Sequence, residues 1–300
     1  MYDTIIIGAG IAGMTAAIYA ARKVMKFEIL STDTGGQFLV SGEVLNYPGI
    51  VRTTGFDFRK TMLEQLEYNK VKVKNETVRD VRKKGDTFTV ITDKSSYDTK
   101  TVIVAVGSKA RKLGVPGEEK FANKGVAYCS VCDGPVFSGM DVAIVGGGNS
   151  ALEAADFMKD IASKIYLIVR GGEFRGHEYL IERVKKNPKV EIIFNADTKE
   201  IKGDAMVSSL KYEKDGKEVE LKVRGVIIEI GRVPNTELFR NVVEMDQTGH
   251  IKIDCHGRTT TPGIFAAGDC VSGSEYQYVI SAGQGTMALL KVAKYLAEKD

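Results

Sequence analysis

The stretch with the most evident chemistry is "YCSVCDGP", Tyr128 to Pro135. It sets two cysteines three positions apart with an acid directly behind them: Cys129, Cys132 and Asp133. That pattern suits a redox-active dithiol, half of a zinc site, or plain packing. A dithiol of this spacing closes into an easily reduced disulfide. Thiol–disulfide exchange needs a thiolate to attack and a leaving thiolate to be protonated, so Asp133 is placed to carry protons. Asp133 can also simply turn the chain ahead of Gly134–Pro135, and the two roles are compatible. Zinc would need two further ligands at suitable spacing. The other cysteines, Cys255 and Cys270, stand singly, and His177, His250 and His256 form no HxxxH-type pair, so no metal is expected.

Such a dithiol needs elements that position it and bring it electrons. Residues 3–7, DTIII, form an apolar β-rich run, followed by GAGIAG at Gly8–Gly13 and the Ala-rich MTAAIYAARK. Strand, glycine turn and helix in that order are the context in which GxGxxG binds a dinucleotide. The first glycine permits the tight turn, the second lets the backbone approach a pyrophosphate, and the third lets helix pack on strand. The pattern recurs as DVAIV, then GGGNSA at Gly146–Ala151, then LEAADFMKDI. Its spacing is GxGxxA, which such folds also accept. Two copies in correct context imply two dinucleotides.

A third landmark is TPGIFAAGDC, Thr261 to Cys270, an apolar strand ending at Gly268–Asp269 ahead of a terminal helix, SAGQGTMALLKVAKYLAEK. An acid at that strand end is placed to hold a ribityl hydroxyl, or merely to bond its own turn. With the first fingerprint N-terminal, this segment C-terminal and the second fingerprint between them, a discontinuous outer domain with an inserted second one is expected. The glycine- and proline-bearing stretches Arg111–Glu119 and Gly231–Glu237 are the expected crossings. The boundaries read as 1–112 and 236–300 for the outer dinucleotide-binding domain and 113–235 for the inserted one carrying the CxxC. The fold class is α/β, two Rossmann-like three-layer dinucleotide-binding domains, the second inserted in the first. Each carries an antiparallel addition, such as DTFTVITD near residue 90.

Bulk properties narrow the classes further. The 300 residues are 43% hydrophobic and 27% charged with net charge +3, which fits a globular protein and gives no reason to expect nucleic acid or an anionic membrane as partner. No apolar run approaches the ~20 residues of a membrane span. The start, MYDTIIIGAG, reads as a strand rather than a signal peptide. Four cysteines, two of them close together, do not make a secreted disulfide framework, so a cytoplasmic location is expected.

GAGIAG, GGQF, VLNYPG, CSVCDGP, GGGNSALEAA, GRVPNTELF and TPGIFAAGDC resemble, in order and spacing, the motifs of low-molecular-weight thioredoxin reductases, class II pyridine nucleotide-disulfide oxidoreductases. The resemblance covers essentially the whole chain. It is shared by the flavin-bearing part of alkyl hydroperoxide reductase, which carries an extra thioredoxin-like N-terminal region. It implies a homodimer with FAD and a Cys129–Cys132 redox disulfide in each subunit, passing electrons from NADPH to thioredoxin or a thioredoxin-like protein. Carried over by position, Gly8, Gly10, Ala12 and Gly13 would hold the FAD pyrophosphate. Gly36, Gln37 and Asn46 would line the flavin, with Asp33 and Gly107 also in the cofactor-binding set. Asp269 and Gln277 would hold the ribityl chain and ring. Gly146, Gly148, Asn149 and Ser150 would bind the nicotinamide dinucleotide. Cys129 would attack the partner disulfide, Cys132 would face the flavin, and Asp133 would shuttle protons.

Two positions depart from the family pattern. The ATG strand end is AVG, Ala105 to Gly107. The HRRxxxR motif that holds a 2′-phosphate reads VRGGEFR from Val169, keeping Arg170 and Arg175 but with Gly171 for the middle arginine. Other donors (NADH, ferredoxin, deazaflavin) and other acceptors (a glutaredoxin-like protein, a peroxiredoxin) are the enzymatic alternatives. A nucleotide-binding zinc or redox-sensor protein is the non-enzymatic one. Dithiol and nicotinamide site map to one domain and the flavin to the other, so the domains are expected to rotate about Arg111–Val115 and Arg232–Asn235 during turnover.

Overall fold

The computed structural model describes residues 1–39, 41, 43–273 and 275–299, Glu43 by its backbone alone. The chain divides into two compact units: Met1–Lys109 with Val233–Asp300, and Ala110–Arg232.

The first unit opens with β1 (Tyr2–Ile7), α1 (Ile11–Arg22) and β2 (Phe27–Ser31), then a small ribbon of β3 (Glu43–Val44) and β4 (Thr53–Thr54). It continues with α2 (Gly55–Tyr68), β5 (Val73–Asn75), β6 (Val78–Lys84), β7 (Thr87–Thr92) and β8 (Ser96–Val104). These build a seven-stranded sheet in the order β5-β2-β1-β8-β7-β6, to which β19 (Ile264–Ala266) adds alongside β8. The pairs β5–β2, β2–β1 and β1–β8 are parallel, whereas β6, β7 and β8 form an antiparallel meander.

Sequence pattern follows this geometry. Ile5, Ile6 and Ile7 of β1 are all buried, because a parallel strand covered on both faces needs a continuous apolar run. Each such side chain contributes about 1.5–3 kcal/mol. TFTVIT in β7 instead alternates half-buried and buried, as a strand with one wet face should.

Strand β9 (Ser108–Ala110) leads into the second unit: β10 (Val126–Ala127), α3 (Ser130–Asp133), β11 (Asp141–Val145), α4 (Asn149–Met158), β12 (Lys164–Val169), α5 (Glu178–Lys185) and β13 (Val190–Phe194). An antiparallel sheet of β14 (Ala196–Gly203), β15 (Val207–Lys214) and β16 (Lys217–Lys222) follows, then β17 (Gly225–Ile228). The main sheet is parallel throughout, in the order β10-β17-β11-β12-β13. The chain leaves through β18 (Arg232–Pro234), which pairs with β9, so both crossings form one two-stranded ribbon.

The last elements are β19 (Ile264–Ala266), parallel to the second half of β8, and α6 (Tyr278–Ala297). The helix begins three residues before the Ser281 start expected from sequence. Gln277 at its N-cap is extended, and the Tyr278 ring stacks on Phe38 at 4.8 Å between centroids, which draws Tyr278 into the first turn. Among the described residues, no helix is long and apolar enough to cross a membrane.

Candidate active site

Cys129 and Cys132 are joined as a disulfide, with Cα atoms 5.3 Å apart. Cys129 occupies the N-cap of the four-residue α3, and its Sγ accepts the Cys132 amide at 3.1 Å. The helix is held at both ends. The Ser130 amide donates to Glu229 Oε1 at 3.3 Å, and a Cβ added to Gly134 would lie 2.7 Å from Met158 Sδ at the end of α4. Tyr128, just ahead of the pair, donates its hydroxyl to Glu118 Oε1 at 2.8 Å. Glu118 is buried and also accepts the amides of Leu113 and Gly114 at 3.1 and 2.7 Å. Burial first, and Glu118 second, push the Tyr128 phenol well above its usual range. Asp133 is half-buried at the far end of α3, and its amide donates to the Cys129 carbonyl at 3.0 Å.

The remaining cysteines are unlike this pair. Cys270 is fully buried, and desolvation pushes its thiol up to about 12, whereas Cys255 is exposed. Neither shares the helix-end environment that favours a thiolate.

The second glycine turn lies in the same unit. Gly146 ends β11 at φ +151°, and a Cβ there would sit 2.2 Å from the Glu229 carbonyl, so only glycine fits. Gly148 caps α4 and bridges to Arg175, whose amide donates to the Gly147 carbonyl at 2.7 Å. Asn149 uses Oδ1 to accept the His177 amide at 2.8 Å, which ties down the loop after β12. Ser150 is exposed in the first turn of α4. Arg170 directly follows β12, and both Arg170 and Arg175 are exposed, with no ion pair to either among the described residues.

The first glycine turn is assembled from distant segments. Gly8 has φ +105°, and a Cβ on Gly13 would lie 1.8 Å from the Gly8 carbonyl oxygen. Gly36 approaches Gly10, Gly268 approaches Ala12 Cβ, and Gly285 of α6 meets the Ala12 carbonyl. Asp33, just past β2, accepts the Gly36 amide at 2.9 Å and so closes its own turn. Gln37 donates Nε2 to the Ser108 carbonyl at 3.0 Å, and Asn46 donates Nδ2 to Gln277 Oε1 at 2.9 Å. Asp269 Oδ1 accepts the Ser281 hydroxyl at 3.0 Å, and Gln284 Oε1 takes the Gly268 amide at 2.8 Å. Gly107 has φ +63°, and its carbonyl accepts the Asn235 amide at 3.0 Å. Gly285, Gln284, Ser281 and Glu229 were not singled out from sequence. The paired glycines in SAGQG and an acid within the apolar GVIIEIG were the available signals.

Whether these turns fit dinucleotides can be judged from their middle glycines. Gly10 and Gly148 have ordinary φ values of −76° and −97°, and a Cβ on either would meet nothing within 4 Å. Neither backbone strain nor packing requires glycine there, and the open space is what an approaching pyrophosphate would fill. The helix ends agree. Neither α1 nor α4 has a side-chain cap or an acid in its first turn, which leaves their positive ends available to an anion. By contrast, α2 is capped by Thr54, which accepts the Asp57 amide at 3.1 Å.

Comparison with known proteins places these features. The family model described as pyridine nucleotide-disulphide oxidoreductase matches residues 2–294. The chain is 38% identical to a Bacillus subtilis protein named NADH dehydrogenase, over 98% of this chain but 58% of that one, so it spans little more than half of that relative. It is 39% identical to a thioredoxin reductase of Mycolicibacterium smegmatis, over 100% of this chain and 98% of the relative. The crystal structure of thioredoxin reductase from Streptococcus pyogenes MGAS5005 superposes with a TM-score of 0.91 at 39% identity, covering 99% of each chain. Two nucleotide-type turns, a CxxC disulfide beside the second, and a match over nearly every residue agree: the chain belongs to the pyridine nucleotide-disulphide oxidoreductase family, which implies a flavin and a nicotinamide cofactor.

Proposed function

We propose that this chain is a thioredoxin-disulfide reductase, taking electrons from NADPH through FAD to the Cys129–Cys132 disulfide and on to a thioredoxin-like protein. The observation that carries this reading is the disulfide itself, half-buried on a short helix in the same unit as the second glycine turn. FAD, when bound, supplies the two-electron chemistry that links a nicotinamide hydride to a disulfide.

The chain's own residues do the rest. Gly8, Gly10 and Gly13 hold one pyrophosphate, and Gly146 and Gly148 the other. Asp269, Asn46 and Gln277 orient the flavin. Arg170 and Arg175 hold the 2′-phosphate, since guanidinium forks suit phosphate oxygens and no acid occupies the end of β12. Once reduced, Cys129 retains the Cys132 amide as a donor to its thiolate, which lowers the cost of the charge. It attacks the partner disulfide, and Asp133 moves the proton that the departing sulfur needs.

NADH is the second reading of the donor, favoured by Gly171, where the family's middle arginine is missing, and by the name of the Bacillus relative. Anaerobic titration of the yellow holoenzyme with NADPH and NADH in parallel separates them. We expect bleaching at lower concentration with NADPH, followed by steady-state reduction of thioredoxin. Cys129→Ser and Cys132→Ser should each abolish thioredoxin reduction yet keep the bleaching. Equal or better kcat/KM with NADH would overturn the donor assignment. Loss of bleaching in both variants, with FAD still bound, would overturn the order of transfer.

A further inference from the structure

Glu229, the residue after β17, touches both chemical parts of the second unit. Its amide donates to the Val145 carbonyl at 2.8 Å, and its own carbonyl lies where a side chain on Gly146 would otherwise sit. Its backbone is therefore locked into the nucleotide turn. Its side chain reaches the redox helix, where Oε1 accepts the Ser130 amide at 3.3 Å. At the same end of α3, Cys129 Sγ accepts the Cys132 amide at 3.1 Å. Two acceptors that can each carry negative charge thus sit at one end of a four-residue helix, each bonded to its own amide, Glu229 to Ser130 and Cys129 to Cys132.

We propose that Glu229 is a positioning residue for the dithiol, its carboxylate and the Cys129 thiolate each holding a different amide at the same end of α3, so that ionisation of one suppresses ionisation of the other through like-charge repulsion. The proposal rests on the reading of Cys129–Cys132 as a cycling dithiol. Two-electron reduction breaks the S–S bond and, with one proton, leaves one sulfur as thiolate and the other as thiol; a nicotinamide hydride would supply the electron pair, with FAD, when bound, as its relay. With the thiolate on Cys129, Glu229 takes a second proton from solvent. When Cys129 attacks a partner disulfide it forms the mixed disulfide, its negative charge leaves on the departing sulfur, and Glu229 releases that proton.

The surroundings place this exchange near neutrality. Burial raises the Glu229 carboxyl to about 7. The Ser130 amide and Arg232 on β18 favour the anion, while Glu153 on α4 and Asp133 on α3 oppose it. A thiolate one residue from Ser130 adds to the opposing set. A nearby like charge shifts a partner by about half a pKa unit to one unit, three- to tenfold in ionised fraction.

The test uses holoenzyme reduced with a phosphine, in which iodoacetamide labelling of Cys129 is followed from pH 5 to 9 and located by mass spectrometry. Glu229→Gln keeps a carbonyl acceptor for Ser130 and removes only the charge, so a purely structural role would leave the profile unmoved. Wild type should give two inflections, one near pH 7. Glu229→Gln should give a single inflection at lower pH, with labelling at pH 7 raised roughly three- to tenfold. Superimposable profiles would overturn the proposal. Should Glu229→Gln fail to fold, the reduced-minus-oxidised infrared spectrum of Asp133→Asn at pH 7 decides: gain of a protonated carboxyl band supports the proposal, and no gain overturns it. Thioredoxin turnover by wild type is measured alongside. Its failure counts against the proposed function, while the labelling profiles still judge Glu229.

Discussion

The two glycine turns have one plan and different surroundings. In the first unit the turn is closed by residues far away in sequence: Gly36, Gly268 and Gly285 all approach Gly10 or Ala12. In the second it is closed by the local loop 171–177, through Arg175 on Gly147, His177 on Asn149, and Gly176 against Leu152. The third position differs accordingly. Gly13 has no room for a methyl group, whereas Ala151 already carries one. The strand ends differ in sign, Asp33 after β2 and Arg170 after β12. A turn enclosed by long-range packing beside an acid suits a nucleotide that stays bound and has a bare ribose. A turn edged by one exposed loop with arginines suits a phosphorylated nucleotide that exchanges.

The largest expected effect tests the third position. Gly13→Ala would drive a Cβ to within 1.8 Å of a backbone oxygen that cannot yield, and should cost about 3 kcal/mol or more together with loss of FAD. Ala151→Gly, the reverse change in the other turn, should cost about 1 kcal/mol and leave nicotinamide binding in place. Thermal melts and flavin content measure both. A Gly13→Ala protein that stayed yellow with an unchanged Tm would break the contrast.

Next come the middle glycines, which nothing in the protein requires. Gly10→Ala and Gly148→Ala should both fold, each losing its own nucleotide. The first should be purified with most of its FAD missing. The second should keep FAD while its KM for the nicotinamide rises roughly tenfold, as for a lost ~1.4 kcal/mol of binding. Loss of FAD from Gly148→Ala would show that the two turns are not independent.

The smallest expected effect concerns the strand ends. Arg170→Ala should lower kcat/KM for NADPH about tenfold and leave NADH nearly unchanged, with Arg175→Ala weaker because its amide, not its side chain, holds the turn. Equal losses with both nucleotides would assign Arg170 to general positioning.

Both strand–turn–helix units and the CxxC pair were legible in the sequence because their causes are local. Glycine at Gly8 and Gly146 follows from their positive φ, and the apolar runs of β1 and β11 follow from burial on both faces. The second fingerprint therefore announces itself from six residues. What joins these pieces is not local. Asn46 meets Gln277 across 231 positions and Ser130 meets Glu229 across 99, because strand order lays β17 beside β11 and brings α6 onto α1. No spacing rule encodes those meetings. Glu229 reads as one acid in an apolar strand until the sheet sets its carboxylate on the dithiol helix and removes enough water to raise its pKa. Residue types and short-range geometry determined which chemistry this chain can hold. The packing of distant strands decided which side chains tune it, since desolvation and charge competition exist only after folding.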